Sequence, residues 1–297
     1  MNTSADSELS PNLSSSRPGW MVGMWRGFLK APLSAKFGFL VIFSYVFVAL
    51  FAPLLTPYGE SEIVGAEFEL WSEEYLLGTD NLGRDMLTRL IYGARNTIGI
   101  AFATTTLAFV IGGSLGVLAA LLQGWVDQVL SRIVDVLMAI PLLIFALLLL
   151  TIFGTSIQSI IIVIAVLDST RVFRLARAVS LNVVVLDFVE AARLRGERIS
   201  WLTFREVLPN IMAPLIAEFG LRFCFVFLTI AALSFLGLGI QRPTADGGSM
   251  IRDNASLITH GDVTTLLPAA AIALLTDGVN FVVDWFLHKS SDRKEGP

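Results

Sequence analysis

Charge is what this sequence has least of. Of its 297 residues 15% are charged, against about 25% in a soluble globular protein, too few to cover a folded surface in water. One cysteine, Cys224, excludes a disulfide framework and any multi-cysteine metal or iron–sulfur site. The two histidines, His260 and His288, form no HExxH, which removes zinc-protease chemistry. There is no GxxxxGK[ST], and none of the four lysines follows a glycine, so the chain has no phosphate-binding loop. A net charge of −4 gives no basic excess for nucleic acid. What fills the sequence instead is apolar: 55% hydrophobic residues and a mean hydropathy of +0.72. Disorder needs the opposite composition. The chain reads as an all-α integral membrane protein with no metal-site pattern.

The charge-free runs locate the spans. They cover 37–59, 96–126 and 136–167, and a helical crossing needs about 20 mostly apolar residues. The first holds a span at 37–55 and the second one at 97–122. The third is too long for one span and too short for two full ones. It divides at Gly154-Thr155-Ser156, a turn cluster, into 132–153 and 157–178. Two more follow near 210–236 and 263–287, making six transmembrane helices. With the N-terminus inside, 15 of the 21 basic residues fall on the inner side and 5 on the outer, leaving Arg222 within a span; this bias puts both termini in the cytoplasm. The polar, Ser-rich residues 1–36 do not have the layout of a cleavable signal, and no internal repeat is visible.

Two connections carry more pattern than a linker needs. In the outer one, 77–96, Thr79 or Asp80 can cap a helix and Gly78 and Gly83 permit tight turns. Leu87, Leu90, Ile91 and Ala94 then fall at helical spacing, as in an amphipathic elbow entering the second span. In the inner one, 179–209, Phe188, Ala191, Ala192 and Ile199 share one helical face, and Glu190, Arg193 and Glu197 another. Arg193 and Glu197 are spaced to pair. Gly196 is placed to end the helix. A second short helix from Ser200 to Leu208 is expected to stop at Pro209. The result is a compact knob whose small residues admit another backbone; a helix lying on lipid headgroups is the plainer alternative.

Glu190-Ala191-Ala192, three residues, Gly196, then Leu208-Pro209 resembles the EAA loop of ABC-importer permeases. LGTDNLGRDMLTRLIYGARNTI at 77–98 resembles the signature of their peptide, opine and nickel class. Ser234-Phe235-Leu236-Gly237-Leu238-Gly239, with Pro243 and Gly248-Ser249-Met250, is similar to the same class. Three departures stand beside this: Glu206 where the EAA pattern is apolar, Gly247 where the class is commonly aromatic, and Gly278-Val279-Asn280-Phe281 with Trp285 in place of the class's charged tail segment.

The resemblance implies an N-terminal anchor helix plus a five-helix type I ABC-importer core with EAA-type cytoplasmic coupling helices. The organisation is then a cytoplasmic tail (1–36), an anchor span (37–55), an extracytoplasmic segment with an amphipathic elbow (56–96), a five-helix domain (97–289) containing the EAA loop (187–209), and a cytoplasmic tail (290–297). Glu190, Ala191, Ala192, Gly196, Leu208 and Pro209 become the ATPase-coupling residues. The implied partners are a second permease subunit, one or two ATP-binding subunits that hold the ATP and magnesium this chain does not bind, and an extracytoplasmic substrate-binding protein. The cargo would be a di- or oligopeptide or a similar small solute, carried across a bacterial inner membrane.

Ionisable residues inside spans are costly and usually face a bundle interior or an aqueous cavity. Glu218 and Arg222, four apart, can pair on one helix face; Asp168 and Arg171 are three apart, and Asp277 and Asp284 share a face. Asp168, Glu218 and Arg222 are the candidate pathway-lining residues. Two rival classes remain. Gly112-Gly113-Ser114-Leu115-Gly116 matches the GxSxG of serine hydrolases, but small residues in a span are the usual packing device, and Ser114 needs a base within reach. A secondary, ion-coupled transporter explains the spans and buried charges but leaves the knob without a role.

Overall fold

The computed structural model describes residues 31–255, 264 and 266–292. The expectations for residues 1–30 and 293–297 of the two tails, and for His260, lie outside the described residues. Among those described the chain is helical without strands, the one bridge pairing Thr79 with Asp85.

The charge-free first run forms α1, Leu33–Leu55. The second forms α2, Met86–Leu122, 37 residues long. Its N-cap is Asp85, whose carboxylate accepts from the Thr88 amide at 2.7 Å. Neither Thr79 nor Asp80 caps it, because both side chains are taken up in the preceding loop. The third expected span, 132–153, is broken into α3, Gly124–Met138, and α4, Leu142–Phe153, which meet at 88°. Pro141 has no N–H and its ring crowds the carbonyl four residues back, so the helix stops and restarts around it. Gly154 (φ +83°) makes the expected turn, and Ser156 caps α5, Ile157–Val184.

The inner connection also differs from expectation. After α6, Asp187–Leu194, a turn of helix α7, Ile199–Trp201, runs through a π-helical segment, Leu202–Val207, directly into α8, Leu208–Phe235. Pro209 does not end a helix. It sits in the first turn of α8, where a missing N–H is tolerated, and the wider i→i+5 turns before it bring the chain there without a break. The Asn210 side chain donates to the Glu206 carbonyl at 2.6 Å. A short α9, Gly247–Asp253, and the last long helix, α10, Leu266–Asp292, complete the chain.

Four stretches are long and apolar enough to cross a membrane: α1, α2, Ile199–Phe235 and α10; the bent α3–α4 pair makes a fifth. The remaining expected span, α5, is about 42 Å long at 1.5 Å per residue but carries Asp168, Arg171, Arg174 and Arg177. Each of the six expected segments therefore contains a helix among its described residues, one of them broken.

Helices α2 and α5 run side by side at backbone contact. A Cβ on Gly112 would collide with the Ser169 carbonyl, and one on Gly116 would sit 2.7 Å from the Phe173 carbonyl, while Gly113 has nothing within 4 Å. The glycines of the GxSxG match are thus a packing seam. We expect Gly112→Leu to destabilise the protein by at least about 3 kcal/mol, the upper end of ordinary overpacking, because backbone rather than a side chain stands in the way. Gly113→Ala should leave stability unchanged or slightly raised. Thermal unfolding of the detergent-solubilised variants checks the contrast.

Candidate functional site

The lower ends of α2, α5 and α8 converge on the knob. Val117, Leu121, Val183 and Val184 pack with Val189, Ala192, Leu202, Val207 and Ile211 in one apolar cluster. The inward stripe of α6 is therefore Val189 and Ala192; Phe188 and Ala191, expected on that face, are exposed. Val189 and Ala192 are three apart and so lie on one side of the helix. Gly196 (φ +80°) reverses the chain just after α6. That reversal takes Glu197 off the helix, so Arg193 donates instead to the Leu121 carbonyl at 3.0 Å, and Glu197 lies 3.9 Å from Arg195. Of the six candidate coupling residues, Glu190, Ala191, Gly196 and Pro209 are exposed, Ala192 is fully buried and Leu208 half-buried. A Cβ at Gly196 would meet nothing within 4 Å. The knob offers an acid, a small residue and an open glycine outward, on a firmly packed base.

In the middle of the bundle, the three candidate pathway residues come together. Arg222 on α8 places Nε 2.7 Å from Glu218 Oε1 and Nη1 3.6 Å from Asp168 Oδ1 on α5. The expected Glu218–Arg222 pair is formed; Asp168 turns to Arg222 rather than to Arg171. Asp168 is almost wholly buried, whereas Arg222 and Glu218 keep 12% and 19% of their side-chain surface exposed. The guanidinium lies 4.7 Å from the Phe225 ring centre. One guanidinium shared by two carboxylates ties α5 to α8 and opens on one side.

Nothing in the linear pattern announced two further ion pairs, Arg177 with Asp127 and Arg174 with Asp135 (3.0 Å), which fasten α3 across α5. Two apolar cavities flank Phe219, whose ring meets Phe102 and Phe109 edge-on at 5.8 and 5.1 Å. One, about 530 Å³, lies between α2 and α8 beside the π-helical segment; the other, about 720 Å³, lies between α1, α2, α8 and α10. Their walls are mostly apolar, with Arg95 on the rim of the larger one.

The far end of the bundle holds the other two motifs, and there they serve the fold. Asp80 Oδ1 accepts from the amides of Leu82 and Arg84, and Oδ2 from Arg84 Nε at 2.8 Å; Arg89 Nε stands 3.2 Å away. Arg89 also donates to the Glu60 carbonyl at 2.9 Å. All three side chains are buried, which spacing alone did not reveal beyond the Asp80/Arg84 interval of four. Gly83 (φ +71°) lies against the Gly65 carbonyl, where a Cβ would clash. At the end of α8, the amides of Gly237 and Leu238 bond back to the carbonyls of Ser234 and Leu233 at 3.1 and 2.9 Å, a glycine-closed helix end. Asp246 caps α9 through the Ser249 amide and accepts from Thr97 at 2.9 Å; burial pushes its carboxyl above the usual carboxylate range, against these hydrogen bonds.

Ser114 is exposed on the wall of the α2–α8 cavity rather than in the α2–α5 seam. Its hydroxyl donates to carbonyls of its own helix, those of Val110 and Ile111, and His288 bonds the Asp284 carbonyl near the end of α10.

Residues 112–295 match the family described as "Binding-protein-dependent transport system inner membrane component". Over 257 residues the chain is 35% identical to a dipeptide transport system permease protein of Alkalihalophilus pseudofirmus, covering 86% of this chain and 84% of that one. It is 37% identical over 262 residues to a di/tripeptide transport system permease protein of Pseudomonas aeruginosa (83% and 86% covered). It is 30% identical over 262 residues to a glutathione transport system permease protein of Pectobacterium atrosepticum (88% and 87% covered). With its apolar spans, its outward-facing knob and these relatives, the chain belongs to the inner membrane components of binding-protein-dependent transport systems, the multi-pass permease subunits of ABC importers.

Proposed function

We propose that this chain is the non-catalytic permease half of a peptide importer, passing di- and oligopeptides or similar small solutes inward while partner subunits hydrolyse ATP. The observation that carries the reading is the asymmetry between the two ends. At the far end the class motifs turn inward and hold the fold, whereas at the knob Glu190, Ala191 and Gly196 face outward and a Cβ on Gly196 would meet nothing within 4 Å. The knob end is cytoplasmic in this reading, as are both termini, with 56–96 on the outer side. The anchor is 37–55, the five-helix domain 97–289, and 187–209 the coupling loop. One or two ATP-binding subunits, holding ATP and magnesium, receive Glu190, Ala191, Ala192, Gly196, Leu208 and Pro209. A second permease chain completes the pathway, and an extracytoplasmic binding protein delivers the cargo. Closure of the ATPases moves the knobs and reorients the spans between two accessible states. Purification of the tagged chain under mild detergent should bring down a nucleotide-binding subunit; its consistent absence, with the chain folded and active in uptake, would point to a secondary transporter.

In this reading the Asp168–Arg222–Glu218 cluster lines the pathway with its open side. Glu218→Gln should lower uptake several-fold, because Arg222 then shares one carboxylate in a medium where unpaired charge is costly. Exchanging the two residues, Glu218→Arg with Arg222→Glu, should restore part of the loss. Uptake by Glu218→Leu equal to that of the parent would remove the cluster from the pathway.

A further inference from the structure

One mid-membrane charge, Asp277, belongs neither to the Asp168–Arg222–Glu218 cluster nor to the α3–α5 ion pairs. It is the twelfth residue of the 24-residue span Leu266–Lys289, about 17 Å from either end at 1.5 Å per residue. Its side chain is exposed and makes no salt bridge or hydrogen bond among the described residues. The basic residues of the neighbouring segments are turned to other sites. Arg222 is shared between Glu218 and Asp168, Arg174 and Arg177 hold Asp135 and Asp127, and Lys289 lies over the Trp285 ring at 4.6 Å. Arg171 lines a small cavity at the α3–α4 bend with Met138 and Phe145. A lone acid at this depth is too costly to leave against lipid.

The surroundings of Asp277 define a face. On one flank of the α8–α10 contact, Gly278 and Val282 pack on Gly38 of α1, and Phe219 and Phe223 look into the cavity that α1 closes. The contact itself is made by Val279 and Val283 against Gly220, and by Cys224 against the Thr276 carbonyl at 3.8 Å. Helical spacing places Phe225 and Leu228 of α8, 49% and 40% exposed, on the other flank, together with Asp277 and the half-buried Asn280 of α10. Apolar residues there would suit lipid, but the carboxylate does not. A second copy of this chain seated on the face by a two-fold axis would set Asp277 against Asp277, which worsens the charge.

We propose that this face, Asp277 with Phe225 and Leu228, seats a different membrane-spanning chain, the second permease, and that this partner presents an arginine or lysine at the depth of Asp277. Charge complementarity selects the partner and fixes its vertical register, while the apolar rim supplies packing. The proposal rests on the preceding reading in taking the chain to work beside a second permease; the cargo plays no part in it.

The test uses the full transporter in lipid nanodiscs. A spin label at Ala273, exposed and one turn from Asp277 on the same face, is introduced as Ala273→Cys with Cys224→Ala. Collision with oxygen reports lipid, and collision with a water-soluble nickel complex reports an aqueous path. The label should meet oxygen freely in the isolated chain and be shielded from both reagents in the assembled complex. Oxygen access unchanged by assembly, or nickel access in the complex, would overturn the proposal, the latter by making the face part of the aqueous pathway. In parallel, Asp277→Lys should reduce the second permease retained on purification by about tenfold or more, the consequence of setting two buried cations together, while Asp277→Glu retains it. Full retention by Asp277→Lys would also overturn it. If Asp277→Lys fails to insert, the label at Ala273, which leaves Asp277 in place, decides. Because shielding is read without cargo, a wrong cargo leaves it unchanged.

Discussion

Glu190→Lys is expected to abolish uptake while the chain reaches the membrane in normal amount. Glu190 is exposed on α6, and the fold beneath it rests on Val189 and Ala192, which the substitution does not touch. Reversing the charge therefore costs the chain little, as for most surface changes, yet it confronts any partner evolved to receive an acid with a like charge. Gly196→Pro acts on the same contact from the backbone. Gly196 has φ +80°, and proline is locked near −65°, so the reversal after α6 cannot form and the knob loses its shape. ATP-driven uptake should fall by about 100-fold or more in both variants, a loss of about 2.7 kcal/mol in effective coupling, with the chain's helical content unchanged for Glu190→Lys. Normal transport by both would remove the knob from the mechanism.

Asp80→Leu should show a large loss of stability. Asp80 receives two backbone amides and two guanidinium groups, and Arg84 and Arg89 are 3% and 1% exposed. Removing the carboxylate leaves both cations buried without their counter-charge, which costs about 3–5 kcal/mol where one partner of a buried pair is removed. The far-end loop would come loose with it, since Arg89 also holds the Glu60 carbonyl and Glu60 in turn accepts from Asn96 and the Ala245 amide. Replacing the whole group, Asp80→Leu with Arg84→Met and Arg89→Met, should recover part of the stability, because apolar residues of similar volume do not need a partner. Thermal unfolding in detergent reads both. A loss below about 1 kcal/mol for Asp80→Leu would mean that the cluster is wetter than its burial indicates.

These two variants mark the limits of what the sequence discloses. The spans were legible because a charge-free run of membrane length has few other uses, and the knob because Glu190, Gly196 and Pro209 stand at recognisable intervals. The Glu218–Arg222 pair was legible for the same reason, both members lying on one helix four residues apart. What stayed hidden depends on residues far apart in the chain. Arg222 reaching Asp168, Arg177 reaching Asp127 and Glu60 reaching Ala245 are set by how the helices stack, and no local pattern encodes that. Pro141 did carry a local signal, but an apolar run reads as one span until the bend is seen. The π-helical segment before Pro209 is a subtler case. A proline after a short helix ordinarily ends it, and here the wider turns let the helix pass.

The central claim is that this chain moves cargo only as one part of an ATP-driven assembly. The most direct test reconstitutes the full complex in proteoliposomes and follows a labelled dipeptide presented by its binding protein. Uptake should require ATP and magnesium on the side of the knob, should fail without the binding protein, and should survive collapse of the proton and sodium gradients. Uptake by the chain without its ATPase, driven by either gradient, would contradict the account.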